Sequence, residues 1–252
     1  MNIVFFGTPY FGQTALRGLG RSSHRVVLVV TAPDKPRGRG LKVAPPPVKV
    51  EAERLGIPVI QPVNLRDPDV VGKLEAAAAD LMVCAAYGKI VPKRILEIFP
   101  LGCVNVHPSM LPKYRGAAPI QRAIMAGEKT TGVTTMFMSA GCDEGDIILQ
   151  EEVSIEEEDT AGTLEDKLSR VGLALLMKTL DLIASGEAPR RRQDSEEATY
   201  APPISREEEW IDWSSSSRSV ANLVRALDPS PGARTVLEGK TLKIWRAKGV
   251  DS

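Results

Sequence analysis

The chain has 252 residues, enough for one large domain or two smaller ones, and its 43% hydrophobic and 25% charged residues are typical of a globular protein. Its 32 basic and 32 acidic residues cancel, so the overall charge gives no evidence for a nucleic-acid partner, and such evidence would have to come from local clusters of basic residues. No apolar run approaches the roughly 20 residues of a membrane helix and no cationic leader is evident, so we expect no membrane partner. Three scattered cysteines without CxxC spacing argue against disulfides and a thiolate zinc site, and favour the reducing cytoplasm.

Apolar strands alternate with helical patterns along the first hundred residues. We expect strands at residues 2–6, 25–30, 59–60 and 80–86, and helices ending near Leu19, over 48–55 and over 69–78. Strands that are apolar throughout are typical of parallel sheets whose two faces are covered by helices. The pattern therefore predicts an α/β fold with a largely parallel, twisted, Rossmann-like sheet, in which ligands bind beyond the carboxyl ends of the strands.

The pattern changes after residue 131, and the end of the chain predicts a separate small domain. We expect strands at 132–138 and 147–155, a helix opened by a capping box of Thr163 and Asp166, a helix at 219–227, and a hairpin of 235–237 and 241–245. Arginines and prolines between residues 187 and 203 are typical of a linker. We therefore divide the chain into a domain over 1–186, a linker over 187–203, and a short, partial β-containing domain over 204–252.

An asparagine and a histidine share one face of a strand predicted over Cys103–His107. Alternate side chains of a strand point to the same side, so the Asn105 amide and the His107 imidazole face one spot. Prolines directly after the strand end it and place both groups at a loop, where a ligand can reach them. The other histidine, His24, precedes a strand and is interpreted as a solvated turn residue.

Asn105, His107 and the downstream Asp143 suit acyl transfer to an amine without a covalent enzyme intermediate. Asn105 would donate a hydrogen bond to the tetrahedral oxyanion, a contribution of about 3–4 kcal/mol where such donors have been removed. His107 would accept the proton of the attacking amine, and Asp143 would orient the imidazole and stabilise its charged form. The alternative is structural: Asn105 and Asp143 cap turns, and His107 is a buried, hydrogen-bonded side chain.

Two other site chemistries find little support in the residues. Cys103 lies on the strand face of His107, so a cysteine nucleophile is an alternative, but nothing in the sequence would lower the pKa of its thiol. A metal site is not expected, because neither histidine has a partner at ligand spacing.

A cationic segment follows the second predicted strand. Residues 35–42 contain four basic side chains, interleaved with glycine and proline. Such a loop suits phosphate contacts, because arginine and lysine neutralise phosphates without reading sequence. A solvated loop without a partner is the alternative.

Several segments of the chain resemble the 10-formyltetrahydrofolate-dependent formyltransferases. The matching segments are Phe6–Pro9 (FGTP), Pro33–Lys49 (PDKPRGRGLKVAPPPVK), Ala86–Gly88 (AYG), Asn105–Pro112 (NVHPSMLP), Lys113–Gln121 (KYRGAAPIQ), Asp143–Gln150 (DEGDIILQ) and Ala198–Ala201 (ATYA). They follow one another in the family's order, and Asn-x-His with a downstream Asp-x-Gly is common to the whole superfamily.

The resemblance implies that Asn105, His107 and Asp143 are a catalytic trio and that residues 1–186 form a formyltransferase domain. The reaction would transfer formyl from N10 of 10-formyltetrahydrofolate, a cosubstrate, to the α-amino group of initiator methionyl-tRNA, which supplies formylmethionyl-tRNA for translation initiation. The residues that would bind folate are Ser109, Met110, Leu111, Pro112, Tyr87 and Gly88, and those that would bind tRNA are Arg37, Arg39 and Lys42. We expect no metal ion and a monomer.

The resemblance also has departures and alternatives. Tyr10 and Gly12 stand where the family more often has Asp and Ala, and residues 204–252 would be part of a C-terminal β-barrel that assists tRNA binding. A sugar-nucleotide N-formyltransferase with the same trio and folate donor is the alternative enzyme, and the cationic segment argues against it. A non-catalytic folate-binding or RNA-binding module is the alternative of another class, and the intact trio argues against that one.

Overall fold

A computed structural model of the chain describes residues 1–37 and 42–249. Among these residues the strands are β1 (Asn2–Gly7), β2 (Arg25–Val30), β3 (Lys35–Arg37), β4 (Lys42–Ala44), β5 (Val59–Ile60), β6 (Leu81–Ala85), β7 (Cys103–His107), β8 (Thr130–Phe137), β9 (Ile147–Ser154), β10 (Ala233–Leu237) and β11 (Lys240–Ile244). The helices are α1 (Tyr10–Leu19), α2 (Pro47–Arg54), α3 (Pro68–Ala76), α4 (Lys93–Leu96), α5 (Pro119–Met125), α6 (Ala161–Ser185) and α7 (Ser217–Ala226), with a 3-10 helix at Glu207–Glu209. One sheet has the strand order β5-β2-β1-β6-β7-β8-β9, which confirms the predicted α/β class.

The chain divides into two compact units. The first comprises residues 1–107, 134–150 and 169–193. The second comprises residues 108–133, 151–168 and those from Asp194 onward. Each unit has its own buried apolar cluster among the described residues.

Parallel strands form the centre of the first unit. β1 pairs with β2 on one side and β6 on the other, and β2–β5 and β6–β7 are parallel as well. Ile3, Val4, Phe5 and Phe6 are all fully buried, because side chains on both faces of β1 pack against apolar neighbours. This double coverage explains why the strand is apolar at every position rather than at alternate ones.

One neighbour of β7 departs from the parallel arrangement. β7 and β8 are antiparallel, so that His107 lies opposite Thr134 and Val104 lies opposite Phe137. The sheet is therefore mixed, and β7 has a parallel neighbour on one side and an antiparallel neighbour on the other.

The cationic segment after β2 contains two short strands that the sequence did not predict. β3 and β4 pair in antiparallel register, with Lys35 opposite Ala44 and Arg37 opposite Lys42. The prediction of a loop over the whole segment was therefore wrong at the two ends of the segment, which are strands. Proline and charged residues conceal the alternation of polar and apolar side chains on which strand prediction depends.

Helix α6 begins before the predicted capping box. It starts at Ala161, and Thr160 forms the reciprocal cap with Thr163: each backbone amide donates to the hydroxyl of the other, at 3.0 and 3.3 Å. Asp159 accepts a further bond from the Thr163 hydroxyl at 3.0 Å. The prediction of a capping box at Thr163 and Asp166 therefore placed the start of the helix one turn too late.

The second unit contains the predicted C-terminal hairpin. β10 and β11 pair in antiparallel register around Glu238 and Gly239, which both have positive φ, as a two-residue type I′ turn requires. Helix α5 packs against α7, and the buried cluster of this unit comprises Ile211, Val224, Leu227 and Ala233.

Two segments that carry the family resemblance pair with each other inside the second unit. The Arg115 amide donates to Thr199 O, and the Ala118 amide donates to Ala201 O, at 2.9 and 3.0 Å. Gly116 has a φ of +118°, and a Cβ there would lie 2.8 Å from Ala201 O. The KYRGAAPIQ and ATYA segments thus form one paired structure rather than two separate contacts.

None of the helices in the described part of the chain is both long and apolar enough to cross a membrane.

Candidate functional site

Strand β7 presents Asn105 and His107 on one face of the sheet. Asn105 pairs with Cys84 of β6 and Met136 of β8, and His107 pairs with Thr134 of β8. Residues directly opposite each other in a sheet share a face, so the backbone register holds both site residues at fixed heights on the same surface. The His107 side chain is buried, with 4% of the residue exposed, while Asn105 is half-buried.

The Asp143 carboxylate contacts both of these side chains. Asn105 Nδ2 donates a hydrogen bond to Asp143 Oδ1 at 3.2 Å, and His107 Nδ1 lies 3.7 Å from Asp143 Oδ2. The structure therefore brings the three predicted residues together within the first unit. The carboxylate lies on the Nδ1 side of the imidazole, where it can orient the ring.

The connection between β8 and β9 brings Asp143 to this face. Because β8 is antiparallel to β7, the connection starts at the far end of β7, where Met138 N donates to Cys103 O at 2.7 Å. Asp143 has a φ of +54°, a left-handed conformation that is uncommon for a residue with a side chain. The loop therefore doubles back over the sheet face rather than meeting His107 at the end of its strand.

Gln193 holds this loop, and the sequence analysis did not identify it. Its Nε2 donates hydrogen bonds to Asp143 O and Gly145 O, both at 2.8 Å, and the residue is 6% exposed. Gln193 falls in the segment interpreted as a linker, where no motif or periodicity marks it. A glutamine in a polar, arginine-rich stretch is no signal by itself, because its burial is not visible in a sequence.

The buried cysteines do not support a thiol nucleophile. Burial raises the pKa of the Cys103 thiol to about 12, and burial likewise raises the pKa of Cys84 to about 12. Cys103 Sγ is instead directed to Leu96 O at 3.5 Å. The reactive form of cysteine is the thiolate, so neither group is an activated nucleophile.

Cys142 is the exposed cysteine of the described residues. Its Sγ lies 3.5 Å from Asp143 Oδ2. A thiol is a weak hydrogen-bond donor, so this contact adds little to the orientation of the carboxylate.

Tyr87 and Gly88, predicted to bind folate, follow β6 in the first unit. The Tyr87 ring packs edge-on against Phe6 with centroids 5.1 Å apart, and its hydroxyl is buried with no hydrogen-bond partner among the described residues. Its backbone carbonyl accepts a bond from Thr8 Oγ1 at 3.1 Å. Ala86 and Gly88 have positive φ, so the backbone turns sharply on both sides of this ring.

Ser109, Met110, Leu111 and Pro112, also predicted to bind folate, lie in the second unit. Ser109 Oγ donates to Lys113 O at 2.6 Å, and both Ser109 and Leu111 are almost completely buried. Pro112 O accepts a bond from the Thr199 amide at 3.3 Å. The Ser109 and Leu111 side chains therefore belong to the interior of the second unit, whereas Met110 and Pro112 are half-buried.

The residues predicted to bind tRNA are described only in part. Lys42 is exposed in β4 and Arg37 belongs to β3, while Arg39 lies outside the described residues. At the base of this ribbon Lys49 Nζ contacts Asp34 Oδ2 at 2.8 Å. Two hydrogen bonds lower the pKa of Asp34 below its usual value: the larger effect comes from Lys49 and the smaller from Gln61.

No group of three or more histidine, cysteine, aspartate or glutamate side chains within residues 1–37 and 42–249 could hold a metal ion. The trio has one imidazole, one carboxylate and one amide, which suits hydrogen-bonded acyl transfer better than metal coordination.

The fold agrees with the comparisons to known proteins. The formyl transferase family matches residues 1–180, and the formyl transferase C-terminal domain matches residues 203–252. The first of these covers more than half of the chain. The chain therefore belongs to the formyl transferase family.

Its curated relatives narrow the kind of formyl transferase it is similar to. A methionyl-tRNA formyltransferase from Pelotomaculum thermopropionicum is 51% identical over 251 residues, covering 100% of this chain and 80% of the relative. A methionyl-tRNA formyltransferase from Geobacillus thermodenitrificans is 50% identical over 244 residues, covering 97% of this chain and 76% of the relative.

Solved structures share the fold at lower identity. A glycinamide ribonucleotide transformylase from Symbiobacterium toebii is 26% identical with a TM-score of 0.62, covering 77% of this chain and 93% of that one. A sugar N-formyltransferase from a Shewanella species has a TM-score of 0.72 at 20% identity, covering 100% of this chain and 99% of that one. At 20% identity the latter likeness shows the fold and leaves the acceptor undefined.

Proposed function

We propose that this chain transfers a formyl group from 10-formyltetrahydrofolate to the α-amino group of initiator methionyl-tRNA, using Asn105, His107 and Asp143. The observation that carries the proposal is the convergence of an amide, an imidazole and a carboxylate on one sheet face. The acceptor follows from the full-length similarity to methionyl-tRNA formyltransferases at about 50% identity.

Asn105 stabilises the tetrahedral intermediate. The neutral amine attacks the formyl carbon, and the carbonyl oxygen gains negative charge as the new C–N bond forms. The Asn105 amide nitrogen has two hydrogens, and one of them is donated to Asp143. The other hydrogen is donated to the developing oxyanion, an interaction whose removal lowers the rate by about 10²–10³-fold in comparable enzymes.

His107 moves the proton that the amine must lose. With Nδ1 on the side of Asp143, the lone pair of Nε2 accepts the proton from the attacking nitrogen. The same proton then passes to N10 of the folate as the C–N10 bond breaks, so the products are formylmethionyl-tRNA and tetrahydrofolate. An α-amino group has a reference pKa of about 7.7–8.0, so a base raises the reactive fraction at neutral pH.

The folate donor is a cosubstrate in this reaction, and its contacts are proposed to come mainly from backbone. Ser109, Leu111 and Tyr87 are buried and pack within their own units. Two solved proteins of the same fold are complexes, one with tetrahydrofolic acid and the other with folinic acid. We carry the folate class over to this chain on that basis and on its family membership.

Methionyl-tRNA is the proposed macromolecular partner, which places the activity in the cytoplasm with translation. Arg37, Arg39 and Lys42 would contact its phosphates, since the ribbon of β3 and β4 presents basic residues on both strands. We propose a monomer, since the trio is complete without a residue from a second copy.

The test is transfer of labelled formyl from 10-formyltetrahydrofolate to charged initiator tRNA. His107→Ala is expected to lower kcat by about 10²–10⁴-fold with folate binding retained, because it removes the proton acceptor. The matched control is His24→Ala, which removes the second imidazole of the chain at the start of β2, and full activity is expected.

Two results would contradict the proposal. A near-normal kcat in His107→Ala would show that the imidazole is not the proton acceptor of the reaction. Formyl transfer to an amino-sugar nucleotide, with none to tRNA, would keep the trio and replace the acceptor.

A further inference from the structure

We propose that Gln193 is a positioning residue for Asp143, one that holds the carboxylate against His107 during formyl transfer. This inference rests on the proposed role of Asp143. Gln193 touches none of the reacting atoms, so its effect is exerted through the loop between β8 and β9.

The loop depends on Gln193 for two hydrogen bonds at its backbone. The single Nε2 amide donates to Asp143 O and to Gly145 O, both at 2.8 Å, and thereby closes the turn around the catalytic carboxylate. Both hydrogens of the amide are used in this way. Removing the donor leaves two carbonyls without these bonds, at a cost of about 1–3 kcal/mol for a buried acceptor.

The backbone of Asp143 gives this clamp a physical reason. Its φ of +54° is unfavourable for a residue with a side chain, and such conformations persist where the surroundings hold them. A hydrogen bond to the carbonyl of that same residue restrains the peptide plane that follows its left-handed torsion. The clamp thus acts on the one residue of the trio that lies outside regular secondary structure.

Gln193 is itself anchored at two places. Two residues earlier, Arg191 forms a bridge with Ile147, the first residue of β9, through bonds of 2.8 and 3.0 Å. Gln193 Nε2 also lies 3.8 Å from Met136 Sδ, and Met136 is the cross-strand partner of Asn105. The side chain therefore connects the sheet face that carries Asn105 and His107 with the loop that carries Asp143.

The proposal predicts a loss of rate without a loss of substrate binding. An Asp143 carboxylate that moves away from His107 no longer holds the imidazole in line with the reacting atoms. Loss of alignment is expected to lower kcat on the order of 10–100-fold, with the KM for tRNA nearly unchanged.

The experiment compares Gln193→Met and Gln193→Glu with the wild-type chain in the formyl-transfer assay. Methionine fills the volume without a donor, and glutamate keeps the shape but places oxygen against two carbonyl acceptors. Both variants are expected to show the lower kcat, with the KM for tRNA nearly unchanged. Thr179→Val is the matched control, because it removes a buried hydrogen bond to Thr135 elsewhere in the same unit and is expected to keep the wild-type kcat and KM.

Asp143→Asn, assayed beside these variants, separates the two proposals. Full activity of Asp143→Asn would overturn the mechanism, and the role of Gln193 with it. A loss of activity in Asp143→Asn, with wild-type kcat in a folded Gln193→Met or Gln193→Glu chain, would overturn the inference about Gln193 alone. Equal losses of kcat in the Gln193 and Thr179 variants, or a rise in the KM for tRNA that accounts for the loss of kcat/KM, would show a general structural effect, and would also overturn it.

Discussion

Gly145 shows how one missing side chain sets the position of the loop that carries Asp143. A Cβ at this position would lie 1.7 Å from the carbonyl oxygen of Phe137, much closer than atoms can approach. The loop therefore lies directly against the end of β8, two residues after Asp143. This close approach lets a connection of nine residues turn back over the sheet face.

Gly145→Ala is expected to lower kcat on the order of 10–100-fold, because the added methyl group forces the loop and its carboxylate away from His107. Steady-state kinetics of formyl transfer, with a melting curve of the same sample, measures the effect. The control is Gly72→Ala in α3, where nothing lies within 4 Å of the new methyl group. An active Gly145→Ala chain would show that Asp143 tolerates movement.

Gly12, one of the two departures from the family pattern, has a packing reason. A Cβ at Gly12 would lie 2.6 Å from Ala85 O, so α1 approaches the end of β6 more closely than an alanine would allow. The helix and the strand are therefore adjusted to glycine in this chain. The structure offers no comparable account of Tyr10, which is exposed at the start of α1.

Helices α1 and α2 are joined through a buried carboxylate. Glu51 of α2 is 2% exposed and receives hydrogen bonds from Arg17 of α1 at 3.0 Å and from Arg54 at 2.6 Å. Burial raises the pKa of Glu51, but the bonds from Arg17 and Arg54 outweigh burial, and the net pKa lies below the usual 4.5. The charged form therefore stabilises the folded chain.

Glu51→Gln is expected to lower the free energy of unfolding by about 1–3 kcal/mol at neutral pH, since charge-assisted bonds are replaced by weaker ones. A carboxyl whose folded pKa is depressed stabilises above its unfolded value and loses that effect as the pH falls through the folded value. The difference from wild type should thus be constant above about pH 4.5 and shrink below it. Denaturant titrations over this range measure it, with exposed Glu53→Gln as the control.

Charge distribution, rather than net charge, connects the whole molecule to its acceptor. The totals of 32 basic and 32 acidic residues cancel, yet four basic side chains occur within residues 35–42. A polyanion responds to such a local cluster even when the protein as a whole is neutral, because phosphate contacts act within about 10 Å at physiological salt.

Arg39→Ala and Lys42→Ala are each expected to raise the KM for tRNA and to reduce the slope of log(kcat/KM) against log[salt] by about one unit or less, since one phosphate contact is lost. The control is Lys73→Ala, an exposed lysine of α3 that carries the same charge. The measurement is formyl transfer over a range of potassium chloride concentrations. Slopes equal to those of wild type and control would show that Arg39 and Lys42 do not contact the tRNA phosphates.

The main strands could be predicted because their apolar runs are local. Residues 25–30 match β2, and the predicted 80–86 differs from Leu81–Ala85 by one residue at each end. The pairing of β3 with β4 could not be predicted, because three of its six residues are basic and one is proline, so that no alternation of apolar and polar residues marks either strand. Gln193 could not be found either, since its importance comes from carbonyls that lie about 50 residues away along the chain.

Local periodicity was enough to place Asn105 and His107 on one face, because the two-residue repeat of a strand is a property of the backbone. The arrival of Asp143 at that face depends on contacts distant in the chain. β8 is antiparallel to β7, so its connection leaves beside Cys103, and the loop returns through the close approach of Gly145 and the clamp of Gln193. The periodicity of a strand depends only on residues that are adjacent in the sequence, whereas the path of this loop is set by groups that meet only after the chain has folded.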